Sequence, residues 1–89
     1  MSLNPSLEET KIGCMMHWTE MAWESYEKKD VWAAEASIAA ASSIWSNIRH
    51  NRVGKNYYEE IPGENKLDKL KLFIQRDNVL SQIEKYSKV

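Results

Sequence analysis

The chain lacks long apolar runs, contains a single cysteine and carries almost no net charge. Its most apolar stretch, residues 31–48, is rich in Ala, Ser and Asn and includes Glu35, which is not the composition of a transmembrane helix. The one cysteine, Cys14, excludes an internal disulfide framework and fits a reducing compartment. Because the N-terminus also has no basic stretch followed by an apolar run, the sequence predicts a cytoplasmic location.

Glycine and proline are also scarce, with three and two residues among 89, and no strand pattern competes with the helical ones. Three stretches have helical periodicity, so we predict a single all-α domain, a small helical bundle. Helix one is expected over 6–29, with Ser6 and Glu9 at the spacing of a capping box, and helix two over 31–50, with Asp30 as its N-cap. The short turn between them predicts an antiparallel helical hairpin.

The C-terminal part of the chain is predicted to be a connector followed by further helix. The connector, residues 51–64, contains Gly54, which suits a left-handed helix stop, and Pro62–Gly63, which suits a type II turn. The helical segment, residues 65–87, carries two apolar stripes on nearly opposite faces, with the polar run Arg76–Asn78 between them. It is therefore either a kinked or two-part helix, or one helix packed on both sides.

Helix two has an unusual composition for a helix with a solvent-facing side. Its apolar seam consists of Val31, Ala34, Ile38, Ala41, Trp45 and Ile48. Away from this seam lies a small-residue stripe formed by Ala36, Ala40, Ser43 and Asn47. Small side chains let another backbone approach closely, so helix two is expected to be contacted on two sides, in the centre of a bundle or in an oligomer. The alternative is that Ala and Ser are merely tolerated helix residues.

Four tryptophans are many for a chain of this length, and three methionines lie close together in helix one. Together they offer more apolar surface than one small core requires, although the rings could instead fill the core around the Ala-rich helix. We therefore predict a non-enzymatic protein–protein interaction module that forms a homo-oligomer, most simply a dimer. The predicted interaction surface consists of Trp18, Met21, Trp32, Ala36, Ala40, Ser43, Val79 and Ile83.

No motif typical of catalysis or cofactor binding occurs in the sequence. Cys14, His17 and Glu20 step by three along helix one, but a solvated acidic helix face is the simpler interpretation. There is no phosphate loop, dinucleotide fingerprint or nucleophile elbow. We accordingly predict no catalytic residue, no cofactor and no metal ligand.

Charge is distributed unevenly along the chain, although the net charge of −1 argues against a dedicated non-specific nucleic-acid binder. Residues 1–48 have three Lys/Arg against seven Asp/Glu, a balance of −4, and residues 49–89 have nine against six, a balance of +3. A basic-aromatic cluster follows helix two, comprising Arg49, Arg52, Lys55, Tyr57 and Tyr58. Such a cluster favours an alternative function, a small nucleic-acid-associated regulatory protein. In an antiparallel hairpin, however, Glu8 and Glu9 would lie nearby and could neutralise it.

Overall fold

A computed structural model describes residues 7–52 and 54–87 of the chain, with the backbone alone at Lys55 and Asn56. The predicted all-α fold is confirmed, and no strand occurs within these ranges. The elements are α1 (Leu7–Glu27), α2 (Val31–Asn51), a short 3-10 helix (Gly54–Tyr58) and α3 (Glu64–Ser87). The predicted capping box involves Ser6, which lies outside the described residues.

The turn between α1 and α2 closes the predicted hairpin. Lys29 adopts a left-handed φ of 65°, and its backbone N–H donates to the carbonyl of Tyr26 at 3.0 Å. Asp30 is the N-cap of α2, as predicted, because its side chain accepts a hydrogen bond of 3.1 Å from the backbone N–H of Ala33. Helix α1 ends at Glu27, two residues before the predicted end.

The core lies between α1 and α2 and is closed by one side of α3. Small residues of the two hairpin helices, Ala22, Ala34 and Ala41, are fully buried. The largest fully buried side chains are Met15, Thr19, Ile48, Ile61, Leu67 and Leu70. Most of the predicted α2 seam is therefore in the core, but Val31 at its start is exposed.

The connector packs closely against the hairpin at Ile61 and at Gly63. Ile61 is completely buried among the side chains of the hairpin core. Gly63 has a φ of 90°, and a Cβ atom at this position would lie 2.8 Å from Cγ of Met16. Gly54 also has a positive φ, 62°, but it does not end α2 directly, since α2 stops at Asn51 in front of an extended Arg52.

Helix α3 is one uninterrupted helix, so of the two alternatives left open for residues 65–87 the break at residues 76–78 does not occur. Asp77 lies inside this continuous helix and caps no second one. Its carboxylate instead accepts a hydrogen bond of 2.5 Å from the hydroxyl of Tyr26, at the end of α1. Residues 78–87 continue the helix for about 15 Å after this contact. Every residue from Gln75 to Ser87 is exposed.

Candidate interaction surface

The two apolar stripes of α3 have different surroundings. Leu67, Leu70 and Ile74 are buried against the hairpin. The other stripe points away from the hairpin, and we call it the back face of α3. It consists of Leu72, Val79, Leu80, Ile83 and Tyr86, which lie roughly 120° to 180° around the helix axis from Ile74. These five side chains are 49–74% exposed. Among the residues that the structure describes, this second apolar helix face thus has no internal partner.

The spacing of this face is that of a coiled-coil seam. Residues 72, 76, 79, 83 and 86 follow one another in steps of four and three, the repeat that keeps side chains in line along a helix pair. Arg76 is the only charged member of the series. Its guanidinium lies 5.0 Å from the centre of the Phe73 ring and 3.2 Å from the carboxylate of Asp77. Val79 and Ile83, predicted interaction residues, lie at the centre of the seam.

An open groove of about 360 Å³ runs beside this face, between α2 and α3. Ile38 and Ala39 of α2 and Ile74 and Val79 of α3 provide its apolar lining. Val79 belongs to both surfaces, so the groove and the back face of α3 are continuous. The apolar surface near the hairpin turn is consequently wider than one helix stripe.

The rest of the predicted interaction surface does not form one patch. Ala36 and Ser43 are exposed on the side of α2 away from α1, while Ala40 is half-buried. The chain therefore does not place α2 in the centre of a bundle, and only the oligomer part of that prediction remains open. On α1, Met21 is exposed, whereas Trp18 is half-buried and packs against the core.

The tryptophans divide between the core and the surface. The indole N–H of Trp23 donates to the carbonyl of Lys66 at 3.1 Å, and that of Trp45 donates to the carboxylate of Glu64 at 2.6 Å. With Trp18 against the core, three of the four rings support the interpretation that they fill this chain's own interior. Trp32, at the start of α2, is 82% exposed and is the exception.

The basic residues that follow the α2 seam have partners within the chain. Arg49 donates to the carbonyl of Glu59 at 2.8 Å and to the carboxylate of Glu64 at 2.9 Å, and its guanidinium lies 5.4 Å from the centre of the Trp45 ring. Arg52 forms an ion pair with Glu8. The side chains of Arg49 and Arg52 are only 17% and 11% exposed. The expected pairing with the start of helix one is thus confirmed for Glu8.

The aromatic part of the same cluster remains accessible. Tyr57 and Tyr58 are both exposed, and their rings meet edge to face with centres 5.3 Å apart. The side chain of Lys55, the remaining member of the cluster, lies outside the described part of the structure. Among the described side chains of this cluster, only Tyr57 and Tyr58 are therefore exposed for contact with a nucleic acid.

Glu64 joins the connector, α2 and α3 electrostatically. Partial burial alone would raise the pKa of its carboxyl group. Hydrogen bonds from the Trp45 indole and the Ile61 backbone N–H, together with the charge of Arg49, outweigh this effect. The pKa of Glu64 consequently lies below its ordinary value, so the fold favours the ionised form of this carboxyl group.

The described residues show no arrangement typical of an active or metal site. Among them, no group of three His, Cys, Asp or Glu side chains could hold a metal ion, and Cys14 is exposed. No helix within the described ranges is both long enough and apolar enough to cross a membrane.

Comparison of the chain with protein-family models, curated proteins and solved structures gives no match in any of the three.

Proposed function

We propose that this protein is a small non-enzymatic interaction module that self-associates, and that the back face of α3 is its main contact surface. The observation that carries the proposal is the row of five exposed apolar side chains on the α3 face opposite its packed side. Contiguous apolar surface of this kind marks interaction sites more often than isolated exposed residues do. The single cysteine is consistent with a cytoplasmic setting.

The expected affinity follows from how much of this surface remains to be buried. Full burial of a Leu, Val or Ile side chain is worth about 1.5–3 kcal/mol, so a half-exposed one can still contribute about 1 kcal/mol. Two copies with five such residues each provide about 10 kcal/mol before the cost of association, which is at least about 4 kcal/mol. We therefore expect a weak dimer, with a dissociation constant between about 40 μM and 1 mM.

The test is the mass in solution across this concentration range, measured by sedimentation or light scattering. The wild-type chain should rise from 10.4 kDa toward twice that mass. Ile83→Glu should remain monomeric, because it places a charge in the centre of the seam. Ser81→Glu is the matched control, since Ser81 is equally exposed on α3 but lies on the opposite side of the helix.

Two results would contradict the proposal. The first is a wild-type chain that remains monomeric at about 1 mM, the upper end of the expected range. The second is a dimer that both glutamate variants weaken equally, because the contact would then not depend on which face of α3 carries the charge. Helix content measured by circular dichroism should be unchanged in both variants, since both positions are exposed.

The small-residue stripe of α2 is a second proposed contact and can be tested separately. Ala36→Glu is a sharper probe than Ala40→Glu, because Ala36 is exposed whereas Ala40 is half-buried. If α2 joins the interface, Ala36→Glu lowers the mass at high concentration without lowering stability. An unchanged mass would restrict the contact to α3.

The alternative function, association with nucleic acid, receives less support. Arg49 and Arg52 would have to leave partners in the connector and α1 in order to contact phosphates. Titration of a single-stranded oligonucleotide at low and moderate salt tests this alternative, because phosphate contacts weaken steeply with salt. Salt-sensitive binding that Tyr58→Ala weakens would favour it.

A further inference from the structure

We infer that two copies of the chain pair through the back faces of α3 in antiparallel orientation. This inference rests on the proposed self-association and specifies its geometry. In this pair, Val79 of each copy packs against Ile83 of the other. Val79 follows a step of three in the seam and Ile83 a step of four, so each kind of position packs against the other kind, as in antiparallel coiled coils. Leu80 then lies beside its counterpart near the two-fold axis.

The position of Arg76 selects this orientation. In a parallel pair in register, Arg76 would face the same residue of the second copy inside an otherwise apolar seam, and two like charges would meet. In the antiparallel register, Arg76 instead reaches the level of Tyr86 of the second copy. A guanidinium stacks favourably on an aromatic ring, as Arg76 already does on Phe73 at 5.0 Å.

Glu84 provides charge complementarity in the same register. It lies on the flank of α3 toward which Arg76 leans, and in the antiparallel pair it comes within about one helical turn of Arg76 of the second copy. In a parallel pair in register, Glu84 would lie about 12 Å along the axis from Arg76 of the second copy, which is out of reach. Within one chain the two residues are about 12 Å apart along the helix, so they cannot form a pair there.

Disulfide cross-linking tests the orientation directly. In a Cys14→Ser background, Val79→Cys and Ile83→Cys are each incubated with oxidised glutathione, alone and as an equimolar mixture. A disulfide requires Cα atoms about 4.4–6.8 Å apart. The antiparallel pair predicts that the mixture forms the mixed disulfide, identified by mass spectrometry, at least about fivefold faster than either variant alone forms a symmetric one.

The outcomes separate this inference from the proposed function. Symmetric disulfides that form as readily as the mixed one would overturn the antiparallel orientation but leave self-association standing. A wild-type dimer whose variants form no cross-link places the contact outside α3 and overturns the inference. A wild-type monomer at all concentrations overturns the proposed function as well.

A charge exchange provides a second readout that does not use cysteine. Arg76→Glu should raise the dissociation constant by about tenfold, because each of the two symmetric contacts then brings two carboxylates together. Adding Glu84→Arg should restore it. In a parallel pair the exchange merely replaces one like-charge contact with another, so a dissociation constant that Arg76→Glu leaves unchanged would refute the antiparallel arrangement.

Discussion

The Glu64 carboxylate offers the sharpest test of how the connector and α3 are held to the hairpin. One of its oxygens accepts hydrogen bonds from the Trp45 indole at 2.6 Å and from Arg49 at 2.9 Å. Its side chain is only 14% exposed. The substitution Glu64→Gln keeps the size of the side chain and removes its charge, so it isolates the electrostatic part of this junction.

The magnitude follows from the bonds that change. Hydrogen bonds to a charged group contribute about 1.5–3 kcal/mol each, and neutral ones about 0.5–1.5 kcal/mol. The bond from Trp45 becomes neutral, a loss of about 1 kcal/mol, and the bond from Arg49 keeps the charge of its donor but loses the ionic attraction, a further loss of about 1 kcal/mol. The free energy of unfolding should therefore fall by about 2 kcal/mol in total. For a domain of this size, each kcal/mol shifts the melting temperature by about 4–8 °C, so Glu64→Gln should melt about 8–16 °C below the wild type.

The assay is thermal unfolding followed by circular dichroism at about 5 μM, where self-association contributes little. The folded-state pKa of Glu64 is lowered, so its stabilising effect is complete above about pH 4.3, the ordinary glutamate value, and is lost as the pH falls through the lower folded-state pKa. The difference between the wild type and Glu64→Gln should therefore be largest at pH 7 and should narrow below about pH 4.

The control is Glu24→Gln, which neutralises an exposed carboxylate of α1 and should change stability by less than about 0.5 kcal/mol. Two results would refute the reasoning. One is a Glu64→Gln variant as stable as the control. The other is a stability difference that stays constant from pH 7 to pH 3, because the loss would then not come from the charge.

Three further predictions use urea unfolding. Asp30→Ala should cost about 1 kcal/mol through loss of the α2 N-cap, whereas Asp30→Ser should recover most of it. Gly63→Ala should cost about 1–3 kcal/mol and more than Gly54→Ala, because both have positive φ but only Gly63 faces Met16; equal costs would rule out the contact as the cause. Trp32→Ala should cost less than about 0.5 kcal/mol, and a larger loss would show that this ring packs within the chain.

The hairpin was predictable because its signals are local. Asp30 caps α2 through a residue three positions away, and the buried positions of α2 repeat at helical spacing. The pairing of Arg52 with Glu8 was also within reach, since antiparallel helices of similar length bring the end of one beside the start of the other. Each of these features depends on one helix or on two consecutive ones.

The placement of α3 was not predictable in the same way. Trp23 bonds to Lys66 and Tyr26 bonds to Asp77 across 43 and 51 residues, and no periodicity specifies such pairs. The polar run at 76–78 suggested a helix break. The spacing of residues along the chain does not predict that Asp77 instead accepts a hydrogen bond from Tyr26. For the same reason, helical periodicity placed Trp45 in the apolar seam of α2 but did not predict its hydrogen bond to Glu64.

The sequence by itself determined the helices, the hairpin and the existence of two apolar stripes on α3, because these follow from helical geometry and from nearby capping residues. Only the tertiary structure decided which stripe of α3 is buried, since both have similar composition. Contacts with Trp23, Glu20 and Tyr26 on α1 turn Leu67, Leu70 and Ile74 inward. The back face of α3 is exposed because the opposite face of this rigid helix is already anchored to the hairpin.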